Sequence, residues 1–185
     1  MWLVVLITYE VYMDFNLIIT TFRNREIEAA AESVQLIEDF IGLKPKIEET
    51  GIRGLLVGYV ECNPIRIIDV FKDHILREPW LFRYILRIIP IEINCETNLE
   101  DIVSNTLKLS YKIPKISSFK ISIEKRFCEL KSSVLISNIA SKIGIKVNLD
   151  CPEWIVLVEI LGKKTGLSVL KPDYILSILK VKRDF

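Results

Sequence analysis

The first part of the chain shows two hydrophobic periods in succession. Residues 14–20 alternate apolar and polar side chains with the two-residue period of a strand. Residues 25–41 carry acidic side chains on one side and apolar side chains at three- and four-residue spacing on the other, which predicts an amphipathic helix ending at Gly42. The apolar stripe of this helix is predicted to contain Ile27, Ala30, Ala31, Val34, Ile37, Phe40 and Ile41.

The pattern that follows extends this pair into a small α/β unit. The segments 46–50 and 55–61 flank a turn with two glycines and predict a hairpin. Pro64 suits the first turn of a second helix, where its missing N–H costs nothing. A further strand is predicted around residues 83–89. The order βαββαβ is that of a ferredoxin-like fold.

A second unit is predicted from residue 97 onward. A helix capped by Thr97 or Asn98 is followed by a strand at 119–124 and by a helix that begins at Ser132 or Ser133 and ends at Gly144. Three short strands and a last helix are predicted at 146–149, 154–161, 167–170 and 172–182. The strand 154–161 is nearly continuous in apolar residues, which indicates burial on both faces. The fold class is therefore α+β, with two α/β units packed together.

Charge is distributed unequally between the two halves. Residues 1–107 have a net charge of −7 and residues 108–185 a net charge of +8, although the whole chain carries +1. A basic half favours a polyanionic partner such as RNA, because each cation near a phosphate releases counterions. A solvated lysine-rich surface is the alternative. Phe127 and Tyr174 could stack on unpaired bases, but core packing is the favoured prediction for Phe127.

Several classes of function are disfavoured by what the sequence lacks. The seven glycines form no phosphate-binding loop, and His74, the single histidine, has no partner that would make it a catalytic base. The four cysteines lack metal-ligand spacing and are predicted to be buried, reduced thiols, which indicates a cytoplasmic protein. No apolar run is long enough to cross a bilayer. We therefore predict no catalytic residues, no metal and no membrane, and interpret residues 1–12 as an upstream start or a peripheral extension rather than as part of the core.

Four segments of the chain resemble a known family. The residues Arg87, Pro90 and Cys95 match a signature that precedes the THUMP domain in the adaptor proteins of tRNA cytidine acetylation. The segment 119–126, which ends in a basic pair, is similar to a THUMP strand. The segments 147–160 and 166–169 resemble the last strands of that domain, although Glu153 stands where the family more often has Asp.

The resemblance implies a ferredoxin-like domain at 1–96 followed by an α/β THUMP domain at 97–185. It further implies a tRNA-binding adaptor, not itself an enzyme and without a cofactor, that holds the acceptor stem and 3′ end for a separate modifying enzyme, the tRNA cytidine N4-acetyltransferase. The predicted RNA-binding residues are Arg87, Lys120, Lys125, Arg126, Lys131, Lys142, Lys146, Lys163, Lys164 and Lys171. For Arg87, an ion pair at the domain interface is an equal alternative.

Three other functions stay open at this point. The chain could be a self-contained RNA-modifying enzyme with an unfamiliar active site. It could be the RNA-binding subunit of a thiolation or methylation system. A pair of regulatory domains that bind a small metabolite is the third alternative, and it predicts a closed apolar pocket.

Overall fold

The structure of the chain is a computed structural model that describes residue 11 and residues 13–183. The predicted peripheral extension at residues 1–12 lies outside this range except for Val11. Two five-stranded sheets, each with helices on its outer face, make up the described part of the molecule. We call the parts built on these sheets the first and second lobes.

The first lobe has the predicted ferredoxin-like order. Four antiparallel strands are arranged as β4-β1-β3-β2, and two helices cover one face of the sheet. Gly42 ends the first helix in the left-handed conformation, as predicted, with φ at 76°. The elements are β1 (Leu17–Thr21), α1 (Glu26–Ile41), β2 (Lys46–Glu49), β3 (Leu55–Tyr59), α2 (Pro64–Arg77) and β4 (Ile85–Pro90).

The second lobe is a mixed sheet in the order β5-β9-β8-β6-β7, with both of its helices on one face. β6 runs parallel to β7 and β8, whereas β9 pairs antiparallel with β8 and β5. Asn98 caps the first helix by accepting the N–H of Asp101 at 2.8 Å. The elements are β5 (Ile93–Glu96), α3 (Leu99–Ser110), β6 (Ser118–Arg126), α4 (Ser132–Ile143), β7 (Lys146–Val147), β8 (Trp154–Leu161) and β9 (Lys164–Leu170).

The chain then returns to the first lobe. The helix predicted at 172–182 is instead a 3-10 turn (Pro172–Tyr174), a short strand β10 (Leu176–Ser177) and a helix α5 (Ile178–Arg183). β10 pairs antiparallel with β4 and so becomes the fifth strand of the first sheet. The prediction was wrong because pairing with a strand almost 90 residues earlier leaves no trace in local periodicity.

The two sheets pack face to face and bury a shared apolar layer. Ile18, Val57 and Ile89 of the first sheet contact the layer that includes Ile155 and Leu157 of the second. The molecule therefore has four layers, two helical layers outside and two sheets inside, and the predicted burial of β8 on both faces is confirmed.

The fold class is confirmed as α+β, with a ferredoxin-like lobe followed by an α/β lobe whose architecture is compatible with the predicted THUMP domain. The domain ranges 1–96 and 97–185 stay a prediction. Strand pairing crosses that division in both directions, because β5 belongs to the second sheet and β10 to the first.

Candidate nucleic-acid interface

An open groove lies where the parallel strands β6 and β8 end. Its volume is about 710 Å³, and the starts of α3 and α4 flank it on either side. Crevices at the carboxyl ends of parallel strands are common ligand sites in α/β folds. We call it the strand-end groove, and its lining includes Thr97, Asn98, Phe127, Cys128, Lys131, Gly162 and Lys163.

Phe127 projects from the end of β6 and is 75% exposed, so the prediction of core packing was wrong. Its position two residues beyond Lys125 keeps the phase of Phe119, Ile121 and Ile123, which is why the sequence favoured burial. The strand ends at Arg126, however, and Phe127 takes the left-handed conformation with φ at 54°. That backbone turns the ring out of the sheet.

The loop that carries Phe127 is held by hydrogen bonds at both ends. The Lys125 ammonium donates to the Leu130 carbonyl at 2.8 Å, and the Leu130 N–H donates to Cys128 Sγ at 3.4 Å. The N–H of Gly162 in the β8–β9 turn donates to the Arg126 carbonyl at 2.9 Å. Lys125 therefore helps to hold this loop in place, a role that the distribution of charge along the sequence did not predict.

Two of the predicted cations lie on the groove itself. Lys131 is exposed at the N-cap of α4, which has no side-chain capping bond from Ser132 or Ser133, the predicted caps. Lys163 is exposed in the turn between β8 and β9. The helix dipole of α4 adds positive potential at the same end, which suits a phosphate.

Arg126 faces the other side of the sheet and binds a buried acid. Its guanidinium lies 3.0 Å from the carboxylate of Glu159, which is 2% exposed in the middle of the inter-sheet face of β8. Burial raises the pKa of Glu159, whereas the hydrogen bond from Arg126 and the more distant charge of Arg87 lower it. The pairing of Arg126 with Glu159 was not predicted, because these residues are 33 positions apart and meet only when β6 and β8 lie side by side.

The remaining strand-end and junction cations are placed as follows. Lys164 forms an ion pair with Asp14 at 2.6 Å, across the two lobes. Arg87 is exposed on β4 and acts on Glu159 through its charge, so both of its predicted roles stay open. Lys120 lies on β6 in line with Arg126, half-buried.

Three predicted cations lie at the opposite end of the second sheet. Lys146 pairs with Ser118 at the start of β6, roughly 26 Å from Arg126 by strand geometry. Lys171 follows β9 at that same end, and Lys142 is in the last turn of α4. The structure therefore brings together Lys125, Arg126, Lys131, Lys163 and Lys164, but not Lys142, Lys146 or Lys171.

Other site chemistry can be described briefly. Within the described residues, no group of three or more His, Cys, Asp or Glu side chains is placed to hold a metal ion. None of the helices formed by these residues has the length and hydropathy that crossing a bilayer requires. All four cysteines lie within the described residues and none forms a disulfide, but Cys62, Cys95 and Cys128 are only partly buried and Cys151 is exposed, so the prediction of buried thiols was wrong. Partial burial raises the pKa of Cys95 to about 11.

Comparison with known proteins shows a fold likeness without sequence likeness. No protein-family model and no curated protein sequence matches the chain. The structure is similar to PH1313 from Pyrococcus horikoshii Ot3, with a TM-score of 0.63 and 14% identity over 85% of this chain and 55% of that one. The structure is also similar to TrmN from Thermus thermophilus, with a TM-score of 0.56 and 14% identity over 86% of this chain and 47% of that one.

Two further structures bear on function. A 4-thiouridine synthetase, solved with RNA and ATP, has a TM-score of 0.51 and 12% identity over 85% of this chain and 41% of that one. A structure from Listeria monocytogenes, described as that of a predicted N6-adenine-specific DNA methylase, has a TM-score of 0.52 and 16% identity over 84% of this chain and 40% of that one. The chain spans about half the length of these structures or less.

These likenesses overturn the prediction that the protein is not an enzyme. Two of the similar structures are described as a predicted and a possible methylase, and a third is a 4-thiouridine synthetase, so the similar structures include enzymes. The sequence argument failed because it searched this chain alone for catalytic motifs, whereas the matched part is less than half of each of these enzymes.

Proposed function

We propose that this chain is the RNA-binding part of a tRNA-modifying enzyme and holds the acceptor stem and 3′ end of tRNA. The observation that carries the proposal is the strand-end groove, whose lining includes the exposed ring of Phe127 together with Lys131 and Lys163. Aromatic rings stack on bases that are unpaired, and flanking cations neutralise the backbone of the same strand.

The single-stranded 3′ end of tRNA fits this chemistry better than a duplex does. In an A-form helix the bases are stacked on one another, so no base face is open to Phe127. An unpaired end offers base faces and phosphates together. The 4-thiouridine synthetase that shares this fold was solved in complex with RNA, which supports RNA as the ligand class.

For the modification itself we propose cytidine N4-acetylation, with the tRNA cytidine acetyltransferase supplying the catalyst. The support is the resemblance at Arg87, Pro90 and Cys95. Methylation is the second candidate, favoured by the fold likeness to two structures described as a predicted and a possible methylase. Mass spectrometry of tRNA nucleosides from cells with and without the gene distinguishes them: loss of N4-acetylcytidine supports the first, and loss of a methylated nucleoside supports the second.

The binding proposal is tested by fluorescence anisotropy with whole tRNA and with tRNA that lacks its 3′ terminal nucleotides. We expect the truncated tRNA to bind more weakly, and Phe127→Ala to lower the affinity for whole tRNA by about 5- to 100-fold, the range for one lost base stack. The double change Lys131→Glu and Lys163→Glu should also reduce the salt dependence of binding.

Matched control variants distinguish the loss of this site from a general effect of protein charge on the affinity for tRNA. Lys44→Glu changes an exposed lysine of the first lobe by the same charge as either one of these two substitutions and should leave the affinity nearly unchanged. Lys142→Glu and Lys146→Glu test the predicted cations at the far end of the lobe. Equal binding of both tRNAs, together with an unaltered affinity of Phe127→Ala, contradicts the assignment of the strand-end groove.

A further inference from the structure

A second groove lies on the outer side of the first lobe, between α1 and the 3-10 turn Pro79–Leu81. Its volume is about 480 Å³. The floor is apolar and the rim is acidic. We call it the α1 groove, and the residues that matter for the argument are Ala31, Glu32, Leu36, Asp39, Trp80 and Leu81.

Trp80 is the most prominent side chain of this groove. It is 60% exposed, yet its backbone is fixed, because the Arg83 Nε donates to the Trp80 carbonyl at 3.2 Å. The carboxylate of Glu32 accepts the N–H groups of Arg83, Tyr84 and Ile85 at 2.9, 3.0 and 3.1 Å and so holds the next residues too. A large aromatic side chain on an ordered backbone is typical of binding hot spots, since little entropy is lost on association.

The neighbouring face of α1 carries apolar side chains that the core does not use. Ile27 is 72% exposed, and Ala31, one turn later, is also exposed. The sequence pattern assigned both to the buried stripe, but of that stripe the helix fully buries Ile37, together with Ala29, Ser33 and Leu36, which the prediction did not include. Exposed apolar side chains that continue into a groove indicate a contact surface for another protein.

Charge indicates the kind of partner. Glu28, Glu32 and Asp39 line the groove together with one cation, Arg83, and Glu28 is paired with Arg25 beside the groove. The excess of acidic groups disfavours nucleic acid and favours a basic polypeptide. The groove also lies on the helical layer opposite to that of the strand-end groove, with both sheets between them. The two grooves can therefore be occupied at the same time.

We propose that the α1 groove binds an amphipathic, Lys- or Arg-bearing segment of the polypeptide that carries the catalytic unit. This inference rests on the proposed function, in which this chain holds the RNA and another protein part performs the chemistry. The partner segment places an apolar side chain against Trp80 and Leu36 and its cations against Asp39 and Glu32.

The test uses two synthetic helical peptides, one of Leu, Ala and Lys and one with Glu in place of every Lys. Binding to the 15N-labelled protein is followed at the Trp80 indole resonance, which a Trp80→Phe variant identifies. We expect the Lys peptide to shift this resonance and the amides of Ala31 and Asp39, and the Glu peptide to leave them unchanged. Trp80→Ala should weaken binding by about 10-fold or more, as for a hot-spot residue, and Asp39→Lys should weaken it too.

Two control variants match these changes elsewhere. Tyr111→Ala removes an aromatic side chain that is 81% exposed on the second lobe, and Asp73→Lys reverses an exposed acid on α2; both should bind the Lys peptide normally. Equal binding of the two peptides, or unchanged binding by Trp80→Ala, overturns the inference. The affinity for tRNA is measured on the same variants. If neither the parent nor any variant binds tRNA, only the proposed function is refuted.

Discussion

At the scale of single residues, Arg126 is both a predicted RNA-binding residue and the ion-pair partner of the buried Glu159. A carboxylate that is 2% exposed needs its cation, so Arg126 is in large part a partner of Glu159. Arg126→Gln should lower the free energy of unfolding by about 3 kcal/mol, because it leaves a buried charge without a counterion. The double variant Arg126→Gln with Glu159→Gln should recover most of this loss. Urea denaturation measures both, and equal stabilities of parent and Arg126→Gln would contradict the expectation.

The same pair predicts a pH dependence with a defined sign. Burial raises the pKa of Glu159, so the native protein holds this proton more tightly than the unfolded chain does. The contribution of Glu159 to stability is therefore full below the ordinary carboxyl pKa and is lost as the pH rises through the raised value. Glu159→Gln removes this loss. The free energy of unfolding of Glu159→Gln minus that of the parent should increase with pH between the ordinary carboxyl pKa and the raised pKa of Glu159. A difference that does not change with pH would contradict this prediction.

The exposure of Phe127 is the feature of the site that the sequence did not predict. The charge pattern found the cations of the strand-end groove, because lysines are recognisable wherever they fold. The exposed ring was missed, since its place in the alternation of β6 matches the buried positions and its orientation depends on one left-handed residue at the strand end.

At the scale of elements, α1 shows which features local periodicity can predict. Its position and its end at Gly42 follow from spacing and from the glycine, and the structure has the helix at Glu26–Ile41. Its rotation is not fixed by that pattern, because apolar residues surround more than half of the helix. Which of them are buried depends on the position of α2 and the sheet, so Ile27 and Ala31 were assigned to the wrong side.

Glu32 joins α1 to the segment before β4, and we expect it to matter for stability beyond its charge. Its carboxylate satisfies three backbone N–H groups more than 50 residues away in sequence. Glu32→Ala should lower the free energy of unfolding by about 2 kcal/mol, while Glu38→Ala, on an exposed position of the same helix, should have little effect. Chemical denaturation of the two variants measures this difference, and equal losses would show that the bonds contribute nothing specific.

At the scale of the whole molecule, the apolar layer between the sheets makes the lobes interdependent. The nearly continuous apolar run of β8 correctly predicted burial on both faces, but it could not show that the second face packs against another sheet. Leu157→Ala should lower the free energy of unfolding by about 2–5 kcal/mol. Amide hydrogen exchange should then accelerate in both sheets. Acceleration confined to the second sheet would show that the lobes unfold independently.

The position of β10 has a consequence for how the protein is made. The first sheet receives its fifth strand from residues 176–177, which leave the ribosome only after the whole second lobe has been synthesised. Until then, the outer edge of β4 has open hydrogen-bonding groups, which can pair with a strand of another nascent chain. Slower translation just before this segment would lengthen that period and favour aggregation.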